Sequence, residues 1–239
     1  MALRGEATVL IKRGEGERPS AGSTVSLDDL TMFETVFEVP MEEARSFVPR
    51  VCEMEFPVTA RLAFWSWPDE QGRVDSSFSH LVDVRIGCRR GAARMSWPLV
   101  ALFDGDETMG HALREVGLNW VPGTSRIDIA HDRIRARATS TGGGAISCEM
   151  AEMTEIDPHE LQWNIASLLV PIEEAVGTGT PLLGLAPVHH TFASLRTGRP
   201  RVAEERVELG GLSMSVATPI GGLLGHGAVT IGPLSEITT

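Results

Sequence analysis

The chain has 239 residues, 42% of them hydrophobic and 22% charged, which is ordinary globular composition and excludes disorder. No apolar run approaches the ~18 residues of a membrane span, and Met1 to Glu6 lack the long apolar core of a signal peptide. A net charge of −11 argues against nucleic acid, whose phosphates need clustered positive charge.

The expectation is a cytoplasmic protein with no membrane contact and one domain over residues 1–239. Cys52, Cys88 and Cys148 fit neither a zinc pattern nor a disulfide framework, so reduced thiols are expected. The basic residues are 20 arginines and a single lysine, Lys12.

In chain order, residues 1–28 read as a flexible arm with one strand candidate, Ala7 to Ile11. Met32 to Val39 alternates and is rich in aromatic and branched residues, which predicts a strand. Pro40 opens a helix, with two glutamates at its positive dipole end. Val58 to Trp67 and Phe78 to Ile86 are strands, and a basic turn at Gly87 to Gly91 leads into a strand over Ala92 to Phe103. Its run Trp97 to Phe103 is continuously apolar, as expected of burial on both faces.

Leu102 to Gly123 organises the chain. Asp104-Gly105-Asp106 is a turn in which either aspartate can cap a helix. Met109, Ala112, Leu113 and Val116 then share one helical face. Gly117 is placed to end the helix in the left-handed conformation. Pro122 disfavours helix at Val121, so Asn119 to Gly123 reads as a loop lining a pocket.

Beyond it, Ser125 to Ile129, Arg133 to Thr139 and Ala145 to Thr154 are short strands. Arg133, Arg135 and Arg137 alternate with small apolar residues, and a solvated strand face is favoured over a binding stripe. Asp157 to Glu160 starts a short helix, and Gly177 to Pro187 is a loop. Val188 to Leu195, Arg201 to Leu209 and Leu212 to Ala217 are strands, Pro219 to Gly227 a glycine-rich turn, and Ala228 to Ile231 a last strand. Many short strands with few helices suggest a large antiparallel sheet closing around a cavity.

Several segments together resemble the acetoacetate decarboxylase family. They are Phe37 to Pro49, Phe103-Asp104-Gly105-Asp106, Arg114-Glu115, Gly198-Arg199-Pro200-Arg201-Val202, and the tail Leu212 to Gly232. The resemblance is diffuse but spans most of the chain. It implies an α+β fold, a mostly antiparallel cone-like β-barrel with a few peripheral helices and a central pocket, and a homo-oligomer. The family uses a lysine that forms a Schiff base with a ketone. In this sequence the matching positions hold Trp120 and Val121, or Val121 and Pro122. The family's pocket arginine falls near Glu38, and its pocket glutamate near His80. Imine chemistry is therefore not expected.

The candidate catalytic residues are His80, which titrates near neutrality, Glu38 as a partner base, and Glu115. Arg114 and Glu115 also suit simple bracing of the helix. Trp120, Val121, Asn119, Arg114 and Trp65 are candidate substrate contacts, with Trp65, Trp67 and Trp120 forming an aromatic wall. His189-His190 lacks a third ligand at metal spacing, so neither metal nor cofactor is expected. The leading reading is a lyase- or cyclase-type enzyme acting on a keto or polyketide-like small molecule, by dehydration, aldol-type cyclisation or isomerisation, in specialised metabolism. The alternative is a non-catalytic small-ligand-binding protein on the same barrel.

Overall fold

Two hydrophobic clusters, one on each face of a single large sheet, dominate the computed structural model, which describes residues 22–69, 78–159, 167–174 and 181–236. The chain enters through β1 (Val25–Glu38), α1 (Met41–Phe47), the short β2 (Glu53–Met54), β3 (Thr59–Pro68), β4 (Phe78–Arg90) and β5 (Ala93–Asp104). Then come α2 (Glu107–Glu115), β6 (Val121–Ile129), β7 (Arg133–Ser140), β8 (Ala145–Glu155), β9 (Ser167–Glu174) and β10 (Pro181–Ala186). The last elements are β11 (Val188–Val202), the hairpin β12 (Arg206–Leu209) and β13 (Leu212–Ser215), β14 (Pro219–Ile231) and β15 (Ser235–Glu236). The neighbours run β5-β6-β7-β8-β11-β14-β1-β3-β4, and β4 pairs β5 again, so the sheet closes into a ring. The pairings are antiparallel except β5 with β6 and with β9. This is the mostly antiparallel barrel that the strand-rich sequence suggests.

Side-chain alternation decides which face each residue takes. β7 is strictly alternating, with Arg133, Arg135 and Arg137 exposed and Ile134, Ala136 and Ala138 buried. Those buried residues join Phe33, Phe37, Leu62, Phe64, Val82, Val84 and Leu102 in the first cluster. Arg135 is solvated and paired with Glu149 across the strands, in keeping with a solvated face. The second cluster lies on the opposite face of β1, β3, β4 and β5. It contains Met32, Ala63, Trp65, Trp67, Leu81, Ala101 and Phe103, and is covered by Leu113 and Val116 of α2 and by Leu168 and Val170 of β9.

The central helix forms as its sequence predicts. Asp106 is the cap, its Oδ1 accepting from the backbone N–H of Thr108 at 2.9 Å and of Met109 at 3.3 Å. Gly117 ends the turn with φ +89, where a Cβ would stand 2.5 Å from Val170 Cγ2. Val121 to Gly123 are not loop. They begin β6, and Val121 and Pro122 pair in parallel with Leu102 and Phe103.

Other boundaries also differ. Residues 25–28 of the expected arm are strand, because β1 starts at Val25 and buries Val25 and Leu27 against β14, while residues 1–21 lie outside the described residues. Ala7 to Ile11, Lys12 and Glu160 lie outside the described residues. Asp157 to His159 form a turn and not a helix. Pro181 to Ala186 is strand within the expected loop, and the glycine-rich Pro219 to Gly227 is the first part of β14. These glycines pair because neighbours fill their space: a Cβ on Gly225 would meet the Phe192 ring at 2.4 Å. Among the described residues no helix is long and apolar enough to cross a membrane.

Candidate active site

Charged residues interrupt three apolar strands, and register brings them together. Glu34 of β1 and Asp83 of β4 both stand opposite Ala63 of β3, one from each side. One step along, Arg61 of β3 and Arg85 of β4 stand directly opposite each other. All four share the face of the second cluster. Between the two carboxylates stands Ala63, whose side chain is a single methyl.

The four form two ion pairs. Arg61 Nη1 donates to Glu34 Oε1 at 3.2 Å. Arg85 grips Asp83 with two parallel bonds, from Nε to Oδ1 and from Nη2 to Oδ2, the latter at 2.8 Å. Asp83 is fully buried, Arg85 and Glu34 are nearly so, and Arg61 is the most exposed member, at 23%. Burial pushes the Glu34 carboxyl above its usual range, and the Asp83 charge adds to this; Arg61 and Arg85 oppose it. An acid–base group tuned in this way belongs more often to a functional site than to an ordinary strand face.

Aromatic rings wall the site. The Arg85 guanidinium lies 5.3 Å from the Trp65 ring centroid. His190 of β11 stacks between Trp65, at 5.6 Å, and Phe192, at 5.3 Å. Burial, reinforced by the positive charges of Arg85 and Arg61, pushes the His190 imidazole down to about 3, so it is neutral at pH 7. Trp65 Nε1 and His190 Nδ1 are both buried with no hydrogen-bond partner among the described residues.

Of the residues predicted from sequence, Trp65 is in this site. Trp120 belongs to the same cluster but serves α2. Its Nε1 donates to the Gly110 carbonyl at 2.8 Å, its ring lies 5.1 Å from Phe103, and the Arg114 guanidinium sits over it at 4.0 Å. Trp67 stacks on Phe103 at 6.3 Å, so Trp67, Phe103 and Trp120 form a continuous aromatic run. Asn119 is half-buried, and Val121 packs on the first cluster instead. Glu115 is exposed at the end of α2, accepting from Ser23 Oγ at 3.1 Å.

His80 and Glu38 are not brought together. They oppose Ser66 and Thr59 of β3, seven residues apart, which is ~23 Å at ~3.3 Å per residue. They also take opposite faces: Glu38 shares that of Glu34, and His80 that of Val82. Burial lowers the His80 imidazole, opposed by Asp104 and Asp69.

Glu34, Arg61, Asp83, Arg85 and His190 were not singled out as site residues from the sequence. Their signal was a charge inside each of the apolar strands Met32 to Val39, Val58 to Trp67 and Phe78 to Ile86. Among the described residues no group of three or more His, Cys, Asp or Glu side chains is arranged to hold a metal ion.

The ring closure and α2 position can be compared with solved structures. An acetoacetate decarboxylase superposes with a TM-score of 0.71 at 16% identity, over 91% of this chain and 90% of that one. This chain has the acetoacetate decarboxylase fold. A second such enzyme, from Legionella pneumophila, gives a TM-score of 0.72 at 12% identity, over 95% and 91% of the two chains. The enduracididine biosynthesis enzyme MppR, complexed with pyruvate, gives 0.69 at 13% identity, over 94% of each. No family model matches the sequence, and no curated protein matches it.

Proposed function

We propose that the chain is an enzyme that moves protons on a small oxo compound in the Glu34–Arg61–Asp83–Arg85 site, without a Schiff base. The observation that carries this reading is a nearly buried carboxylate, raised above its usual range, between two guanidiniums and under an aromatic wall. Glu34 takes a proton from the carbon next to the carbonyl. The electron pair moves onto the carbonyl oxygen, and the guanidiniums of Arg61 and Arg85 face the enolate charge. Asp83 fixes Arg85 in place. Glu34 then returns that proton to a different carbon of the enolate, to the alkoxide formed when the enolate attacks a second carbonyl, or to a β-hydroxyl that leaves as water. These outcomes are isomerisation, aldol-type closure and dehydration, the lyase and cyclase chemistries of specialised metabolism.

Two further facts support the reading. The sole lysine, Lys12, is far in sequence from Trp120 and Val121, where the resemblance places the family's amines. MppR, whose fold is similar, has been seen complexed with the condensation product of pyruvate and imidazole 4-carboxaldehyde.

The test is hydrogen exchange at the carbon beside the carbonyl. 2-Oxo and 3-oxo acids are incubated with the protein in D2O and followed by NMR. Enzyme-dependent exchange that disappears in Glu34→Gln supports the proposal. Exchange that persists in Glu34→Gln moves the base elsewhere. Ligand binding with no exchange of any substrate makes the chain a binding protein.

A further inference from the structure

Two buried nitrogens beside the ion pairs have no role in the proton transfer above. Trp65 is 1% exposed, and its Nε1–H has no acceptor among the described residues. His190 Nδ1 is likewise buried without a partner, and the two rings are 5.6 Å apart. An unmet indole N–H inside a protein is unfavourable, so a pair of unmet groups at one place asks for a shared partner.

The chemistry of the two atoms limits that partner. The indole nitrogen only donates. The imidazole is neutral, and with its proton assigned to Nε2 the Nδ1 accepts. One ligand oxygen satisfies both if it accepts from Trp65 and donates its own hydrogen to His190. A hydroxyl or enol does so. A carboxylate cannot donate, and a methyl or bare aromatic edge can do neither. Phe192 and Trp65 make the surroundings of that hydroxyl aromatic, which suits an unsaturated group next to it.

We infer that Trp65 and His190 form a hydroxyl-recognising pair that selects oxo acids whose flat, unsaturated tail ends in a hydroxyl or enol. The inference rests on the placement of the substrate in the Glu34–Arg85 site, with the oxo-acid end at the arginines and the tail against the rings. It assigns Trp65 and His190 to specificity and leaves the proton transfer to Glu34. A site built to meet a hydroxyl leaves two buried groups unpaired when the analogue lacks it, so discrimination is large.

Calorimetric titration with 4-hydroxyphenylpyruvate and phenylpyruvate isolates the hydroxyl. The expected result is a preference for the hydroxylated acid of about tenfold or more in the wild type, two ordinary hydrogen bonds' worth. Trp65→Phe and His190→Phe each reduce the preference, read as the ratio of the two affinities within one variant, to near unity. Circular dichroism confirms that the variants fold. Should His190→Phe not fold, His190→Asn, which keeps a polar side chain, serves in its place. Glu34→Gln keeps the preference even as it loses exchange, so failure of the chemistry and failure of the recognition are read separately. Equal affinities in the wild type, a preference surviving in both ring variants, or no binding of either acid overturns the inference.

Discussion

Acidification tests the environment of His190 directly. Its folded value, about 3, lies below the ordinary 6.5 because burial and two guanidiniums disfavour the charged ring. Between those values the unfolded chain binds a proton that the folded chain does not. Stability from this group is therefore complete above about pH 6.5 and falls as the pH drops toward 3. At about pH 5 the loss is about 1.5 pH units at about 1.4 kcal/mol each, or about 2 kcal/mol. That figure is an upper limit, since the ring is only partly enclosed and solvent screens some of the effect.

The perturbation is His190→Phe, which keeps a flat ring and removes the titration. Glu34, Arg61, Asp83, Arg85 and His189 remain in both proteins as a common background. Urea unfolding is measured at about pH 7 and about pH 5 by circular dichroism. The wild type is expected to lose up to about 2 kcal/mol more than the variant over that interval. Equal losses in the two proteins refute the buried, charge-flanked placement of His190.

Three further predictions follow from particular contacts. Asp83→Leu leaves Arg85 buried without its carboxylate and is expected to lower stability by about 3–5 kcal/mol, whereas Asp83→Leu combined with Arg85→Met falls well short of the summed losses of the two singles; urea titrations of the wild type, both singles and the double close the cycle. Proton exchange into a bound oxo acid should rise with pH through a value above the usual carboxylate range, since Glu34 must lose its proton to act as base, and a profile centred near 4.5 or unchanged in Glu34→Gln contradicts that role. Gly110→Ala, which in an ordinary helix interior adds about 0.5–1 kcal/mol of stability, should instead destabilise, because the new Cβ stands 2.6 Å from Trp120 Cζ2; a raised melting temperature would show that Trp120 is free to move.

What the sequence determined by itself was local. Asp106, the Met109-to-Val116 stripe and Gly117 specify α2, because capping, face periodicity and left-handed closure all act within a few residues. Alternation in Met32 to Val39 and Arg133 to Thr139 reveals strands for the same reason. The run Trp97 to Phe103 announces a strand buried on both faces, which β5 is. Glycine misled at Pro219 to Gly227, where turn chemistry suggests itself but Phe192 and the neighbouring strands hold the backbone extended.

The site lay beyond such signals. Strand parity places Glu34 and Glu38 on one face and His80 on the other, and that much is written in the sequence. It does not say that Glu34 and Asp83 meet across Ala63, or that Arg61 opposes Arg85. Nor does it bring His190, on a strand formed much later in the chain, against Trp65. Those meetings depend on register and on closure of the ring. Both are set by the summed packing of two hydrophobic clusters and not by any one segment. The sequence determined which residues carry charge and which way each strand turns them; only the tertiary structure decided which charges meet.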